Sequence, residues 1–313
     1  MQESWKKLEK ASHIVITMHR RPDGDALGSA LGLYNILRQK TKVSLFNVTS
    51  ELPREFAFLP GFDRIKTILP PKFDLMVTLD SATFELIEIE HPGVPVINID
   101  HHKSNTHYGE GNVIDASYPS CGEVVLAFLE ANGVALNRPA ALCLYTALAS
   151  DTQFFATDRV DGRTFETARK LLAYEVNPGE VATRIRQNRP LSQARLHGAV
   201  LSSFELFCDG RVASVVIDEA MQQHTGGGLM ESAHVADELL TLCTVQVAVM
   251  IFVVPGEGLK VSLRSKGGVD LSALAEAYGG GGHRNAAGLY VPETDACKFE
   301  KKLIEKLRGL IDA

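Results

Sequence analysis

Histidine and aspartate recur directly after apolar runs in the first half of this 313-residue chain. The run His13 to Met18 is followed by His19, Asp23 and Asp25, and the run Phe73 to Leu79 by Asp80. Pro95 to Ile99 leads into Asp100, His101 and His102, and Asp151 closes the helical pattern Pro139 to Ala149. Ligands of open α/β sheets bind beyond the carboxyl ends of the strands, so this spacing delivers carboxylates and imidazoles to one edge. Each signal alone fits something plainer: Pro22-Asp23-Gly24 is a common turn, and Asp80 or Asp100 alone fits a helix cap. Together, the carboxylates of Asp23, Asp25, Asp80, Asp100 and Asp151 crowd and raise one another's pKa values. Bound divalent cations remove that repulsion. Imidazole and carboxylate without thiolate suit Mn²⁺ or a similar octahedral ion. A carboxylate shared by two such ions sets them about 3.5–4 Å apart, where they help generate hydroxide from water and offset charge on phosphoryl oxygens.

The elements that must position these side chains follow from periodicity. Short β-branched runs alternating with helical patterns read as βαβ units around a parallel sheet. Strands are expected at His13 to Met18, Lys42 to Phe46, Phe73 to Leu79 and Pro95 to Ile99. Helices are expected at Ala26 to Lys40, Gly122 to Ala131, Pro139 to Ala149 and Arg163 to Leu172. The second half has another rhythm, with strands at Val212 to Ile217, Thr244 to Val254, Leu259 to Leu263 and near Leu289. Its helices fall near Glu231 to Leu240, Leu271 to Ala277 and Asp295 to Gly309. Length favours two domains: a parallel-sheet α/β domain over residues 1–175, a linker over 176–192 with a short helix at Glu180 to Gln187, and a smaller α/β domain over 193–313.

Composition narrows the function classes. A net charge of −6 argues against gripping a long nucleic-acid polymer by its backbone. The five cysteines are scattered and never paired at the spacing of a thiolate metal site, which fits a reducing compartment. No apolar stretch of signal-peptide or membrane-helix length occurs, so a cytoplasmic protein with no membrane partner is expected.

At these residues the sequence resembles the DHH phosphoesterase superfamily. The first motif stands as His19-Arg20-Arg21-Pro22-Asp23-Gly24-Asp25-Ala26-Leu27-Gly28-Ser29, the second as Thr78-Leu79-Asp80-Ser81, the third as Asp100-His101-His102 and the fourth as Ser150-Asp151-Thr152. Gly279 to Gly282 followed by His283-Arg284-Asn285-Ala286-Ala287-Gly288 resembles the signature of the DHH-associated domain. The likeness spans almost the whole chain, in order. It implies that His19 and Asp23 hold one metal ion, that Asp25, His102 and Asp151 hold a second, and that Asp80 bridges them. It also implies that Asp100 orients a neighbouring histidine, and that His101 faces the phosphate. Arg20 and Arg21 depart from the family, which commonly has Asn or a neutral residue there; neither is a ligand position.

In the second half, Gly281 and Gly282 read as a loop whose amides approach a phosphate or carboxylate. The resemblance implies that Arg264 grips a terminal phosphate and that His283 contacts phosphate or base, with Lys266 and Asn285 beside them. His234 and the other histidines outside the motifs read as structural or solvent-exposed. A metal centre on one domain and a substrate grip on the other suit very short nucleotides. In size and motif order the chain most resembles the group that hydrolyses oligoribonucleotides of two to five residues and 3′-phosphoadenosine-5′-phosphate, which implies that activity here with two divalent ions, Mn²⁺ first and Mg²⁺ or Co²⁺ as alternatives. A cyclic or linear di-adenylate phosphodiesterase is the alternative, and a non-catalytic nucleotide sensor a more remote one. The resemblance points to a homodimer, although no heptad or apolar stripe in the sequence builds one.

Overall fold

The computed structural model describes every residue except Arg189, Met230, Ala233, His234 and Ala313, together with the side chain of His283. The reading of His234 as structural and the substrate role of the His283 side chain therefore lie outside the described residues. The chain divides into two compact units, residues 1–188 and 189–313.

The first unit opens with α1 (Gln2–Lys10), β1 (His13–Met18), α2 (Gly24–Leu37), β2 (Lys42–Phe46), β3 (Ile65–Lys66), β4 (Leu75–Leu79), β5 (Val96–Asp100) and β6 (Gly111–Ile114). Helices α3 (Cys121–Ala131), α4 (Arg138–Asp151), α5 (Gly162–Leu172) and α6 (Pro178–Arg186) follow. Six strands form one sheet in the order β3-β2-β1-β4-β5-β6, parallel throughout. β1, β4 and β5 are buried along their whole length, the pattern of a sheet covered on both faces. The strand order reverses between β1 and β4, and that switch point opens a crevice at their carboxyl ends.

Close helix packing brings the motifs together. At Gly28 of α2 a Cβ would lie 2.5 Å from the carbonyl oxygen of Cys143 and 2.8 Å from the amide of Ala147, both in α4. Only glycine allows that approach, which sets the first turn of α2 against the end of α4. Leu27, Leu31, Leu144 and Leu148 are fully buried nearby, each worth roughly 1.5–3 kcal/mol.

The second unit contains α7 (Leu191–Ser203), β7 (Glu205–Phe207), β8 (Val212–Ile217), α8 (Glu219–Thr225), α9 (Val235–Leu239), β9 (Val247–Val254) and β10 (Gly258–Ser265). It ends with α10 (Leu271–Glu276), β11 (Gly281–His283), β12 (Ala286–Val291) and α11 (Ala296–Ile311). Its sheet, β11-β12-β10-β9-β8-β7, is antiparallel except for the β8–β9 pair. Residues of β9 alternate between two cores, Val247, Val249 and Ile251 in one and Ala248, Met250 and Phe252 in the other.

The glycine run differs from its sequence reading as a loop. Gly281 and Gly282 belong to β11 and pair with Gly288 and Ala287 of β12. A Cβ on Gly282, at φ 144°, would lie 2.5 Å from the carbonyl oxygen of Ala286. At Gly282 the missing side chain permits the close approach of the two strands. No helix among the described residues is long and apolar enough to cross a membrane.

Candidate metal centre

The centre is built at the carboxyl ends of β1, β4 and β5. His19 follows β1, and Asp23 caps α2 by accepting hydrogen bonds from the amides of Asp25 and Ala26 at 3.0 Å each. Within the first turn of the helix, Asp25 is 1% exposed and accepts from Ser29 Oγ (3.1 Å) and from the amides of Cys121 (2.6 Å) and Gly122 (3.0 Å) at the start of α3. Those amides point at the carboxylate along the positive end of a helix. Asp80 directly follows β4 in a left-handed conformation (φ 53°), a cost of about 1–3 kcal/mol for a non-glycine residue. It is 4% exposed, and its Oδ1 has no hydrogen-bond partner among the described residues.

Distances converge on Asp80. His101 Nε2 lies 3.5 Å and His102 Nδ1 3.6 Å from its Oδ1, and His19 Nε2 lies 3.8 Å from its Oδ2. His101 Nε2 is also 3.6 Å from Asp25 and 3.8 Å from Asp151. Asp100 ends β5 fully buried, accepting from the His101 amide (2.8 Å), His102 Nδ1 (2.7 Å) and Asn105 Nδ2 (2.6 Å). Three sets of ligand atoms are close enough to share an ion: His19, Asp23 and Asp80; Asp25, His101 and Asp151; and Asp80, Asp100, His101 and His102.

This geometry exchanges the expected places of the two adjacent histidines. His101, expected to face phosphate, is 4% exposed and lies within 3.8 Å of Asp25, Asp80 and Asp151. His102, expected beside Asp25 and Asp151, turns Nδ1 to Asp100 and remains 32% exposed. The reason is positional. The Asp100 carboxylate, held by Asn105, captures the nearest ring nitrogen, and His101 is left to fill the interior. His101 Nδ1 meets the carbonyl of Tyr118 at 3.3 Å. A hydrogen placed there by that acceptor leaves the Nε2 lone pair toward the carboxylates, as a cation ligand requires.

The electrostatics describe a centre short of positive charge. Burial, then the charges of Asp80 and Asp151, hold the Asp25 carboxyl well above its ordinary range. Burial and Asp23 do the same to Asp80, and burial raises Asp151. Burial opposes a charge on His102, but the Asp100 hydrogen bond and the surrounding carboxylates outweigh it and push its pKa up to about 9. For Asp100, burial is outweighed by the bonds from His102 and Asn105, and its carboxyl is lowered. An unpartnered buried carboxylate oxygen among oxygen and imidazole donors fits divalent cations, which invert this local pKa balance.

The second-unit residues expected to contact substrate gather at one end of its sheet. Arg264 of β10 pairs in register with Ala286, donates from Nε to Asp237 at 3.1 Å and from a terminal nitrogen to its neighbour's carbonyl. The Lys266 ammonium donates to the carbonyl of Leu242, and the Asn285 carbonyl accepts from the Ser265 amide at 2.9 Å. Gly281 and Gly282 lie on the adjoining β11.

Several contributors escaped the sequence reading. Asn105 and the amides of Cys121 and Gly122 carry no motif that marks them. Arg159 donates to the carbonyls of Ala116 and Tyr118, and both its terminal nitrogens lie 3.4 Å from His101 Nδ1. Its only signal is a cation eight residues after Asp151 in a polar stretch.

Fold and centre together define an α/β protein of two units with a carboxylate–imidazole centre fit for divalent cations. The chain belongs to the DHH family: residues 13–148 match the DHH family, N-terminal domain, and residues 211–309 match the DHHA1 domain. It is 31% identical, over 97% of its length and 94% of the relative's, to the bifunctional oligoribonuclease and PAP phosphatase NrnA of Thermus thermophilus. It is 22% identical to the cyclic-di-AMP phosphodiesterase PdeA of Listeria monocytogenes, over 96% of this chain but 48% of that protein. An exopolyphosphatase-related protein from Bacteroides fragilis shares the fold with a TM-score of 0.91 at 25% identity, covering 100% of this chain and 97% of that one.

Proposed function

We propose that this chain is a two-metal phosphoesterase that hydrolyses oligoribonucleotides of two to five residues and 3′-phosphoadenosine-5′-phosphate. The observation that carries the proposal is that two candidate ligand sets, His19–Asp23–Asp80 and Asp25–His101–Asp151, meet where His101 approaches the unpartnered Asp80 Oδ1 at 3.5 Å and His19 approaches Oδ2 at 3.8 Å. A relative of nearly equal length with both activities in its name supports it. His19, Asp23 and Asp80 would hold one ion, and Asp25, His101, Asp151 and Asp80 the other. Mn²⁺ fits the donor set best, with Mg²⁺ and Co²⁺ as alternatives.

Bound cations would supply Lewis-acid charge that acidifies water and offsets charge on the phosphoryl oxygens. The chain's own residues do the rest. Asp100 fixes the His102 ring by accepting its Nδ1 hydrogen at 2.7 Å. Water adds to phosphorus and releases a proton to solvent, the bond to the leaving oxygen breaks, and that oxygen takes a proton. Partly exposed His102 is the group placed to face the phosphoryl group and give one. Arg264, Lys266, Asn285, His283 and the Gly281–Gly282 backbone are assigned to substrate binding in the second unit. The acidic net charge supports short substrates over long polymers, and the cysteine pattern supports a cytoplasmic setting.

The test is a panel with Mn²⁺-loaded protein: diadenylate RNA, a longer RNA, 3′-phosphoadenosine-5′-phosphate, linear and cyclic di-AMP, and pyrophosphate. Fast release of nucleotide from the dinucleotide and of phosphate from the bisphosphate is expected. Preference for cyclic di-AMP would replace this reading with that of a signalling phosphodiesterase.

A further inference from the structure

Arg159 differs from two other arginines near the centre, Arg20 and Arg163, by what it lacks. Arg20 pairs with Glu88 at 2.7 Å and Arg163 with Asp161 at 3.0 Å. Arg159 is exposed, no carboxylate among the described residues lies in direct ion-pair contact with it, and its charge is felt by Asp151 of the centre, whose pKa it lowers against the larger effect of burial. Its partners are two backbone carbonyls and the Nδ1 edge of His101, and one terminal nitrogen has only that 3.4 Å approach. If Nδ1 gives its hydrogen to Tyr118, the guanidinium gains no bond from it, and donors remain for a ligand. The chain reaches this position through an unusual path. Gln153, Phe154 and Phe155 are three consecutive non-glycine residues in the left-handed region, at φ 49°, 60° and 67°. They turn the chain sharply after Asp151, and a strained turn beside a reactive centre is where such conformations concentrate.

We infer that Arg159 is a substrate-binding residue whose guanidinium takes terminal oxygens of the scissile phosphate, and that it favours phosphomonoesters over phosphodiesters. The chemistry follows from the ligand. A phosphomonoester offers three terminal oxygens and close to two negative charges, which suit a forked guanidinium. A diester offers two terminal oxygens and one charge. This inference rests on the proposed phosphoesterase reading and assigns to one residue the balance between its two substrate classes.

The experiment compares wild type with Arg159→Ala and Arg159→Lys, measuring kcat/KM for 3′-phosphoadenosine-5′-phosphate and for diadenylate RNA. Alanine should lower the bisphosphate value about tenfold or more and the dinucleotide value less than about threefold, with lysine recovering part of the loss. Calorimetric binding of the bisphosphate to metal-free protein should weaken about tenfold in the alanine variant, a readout independent of turnover. Equal losses on both substrates would overturn the inference and make Arg159 a support for His101. Unchanged values would overturn it outright. Wild-type protein inert on both substrates would instead refute the phosphoesterase reading, and the binding measurement would still judge Arg159.

Discussion

His102 Nδ1 sits 2.7 Å from Asp100 Oδ1, and that bond turns one edge of the ring inward while the rest of the residue stays partly exposed. Asp100 is fully buried and accepts from His102, the His101 amide and Asn105 at once. Its carboxylate therefore acts on the centre by fixing and charging a neighbour. Asp100→Asn should bring the His102 pKa down from about 9 toward the ordinary histidine value, because the negative charge is lost and the hydrogen bond is left with only a neutral amide oxygen as acceptor. Ring-proton NMR titration of the metal-free protein reads this directly. An unmoved pKa would mean that the other carboxylates alone charge His102.

Asp80 lies at the meeting point of all three potential ligand sets but one, with a buried oxygen that nothing satisfies. Asp80→Asn should abolish cation-induced stabilisation, which in wild type amounts to about 2.7 kcal/mol when the ion is at a hundred times its dissociation constant. Without cations the variant should melt no lower than wild type, since a buried charge in a crowded acidic site is removed. Thermal melts with Mn²⁺ and with chelator test both halves. Retained stabilisation by Mn²⁺ in the variant would remove Asp80 from the centre.

Glu123, buried in α3, has its carboxyl pushed by burial from 4.5 up to about 7. The folded pKa is the raised one, so the folded state binds the proton more tightly. The resulting stability is present below about pH 4.5, is lost as pH rises toward 7, and is absent above it. The shift corresponds to a few kcal/mol at most. Glu123→Gln should flatten this part of the stability profile and melt higher than wild type at pH 8. Denaturant midpoints between pH 4.5 and 8 measure it, and parallel profiles for the two proteins would contradict it.

Gly28→Ala should destabilise the first unit by about 1–3 kcal/mol, because its Cβ would meet the backbone of α4 rather than a movable side chain. The same shift moves Asp25 away from Asp151, so cation affinity should fall with stability. Chemical denaturation followed by Mn²⁺ titration separates the two effects.

Much of this centre is legible in the sequence because its strands are runs of β-branched residues that end in His or Asp. β1 and β2 coincide with the expected ranges, and β4 and β5 differ by a residue or two. The short or polar strands β3 and β6 give no such run. Helix α7, which starts at the end of the expected linker and runs into the second domain, has no clear apolar face in the sequence, since Gly198 breaks the pattern and only Leu196, His197 and Val200 are buried. The sequence places His101 and His102 side by side but carries nothing about ring direction, which Asp100 and Tyr118 decide. A glycine run likewise reads as a loop until its pairing with β12 is seen.

The most direct test of the central claim is hydrolysis of diadenylate RNA by protein stripped with chelator and then reloaded with Mn²⁺. The stripped protein should be inactive, and reloading should restore release of mononucleotide, saturating near two ions per chain. Turnover that survives stripping, or none after reloading, would contradict the two-metal phosphoesterase account.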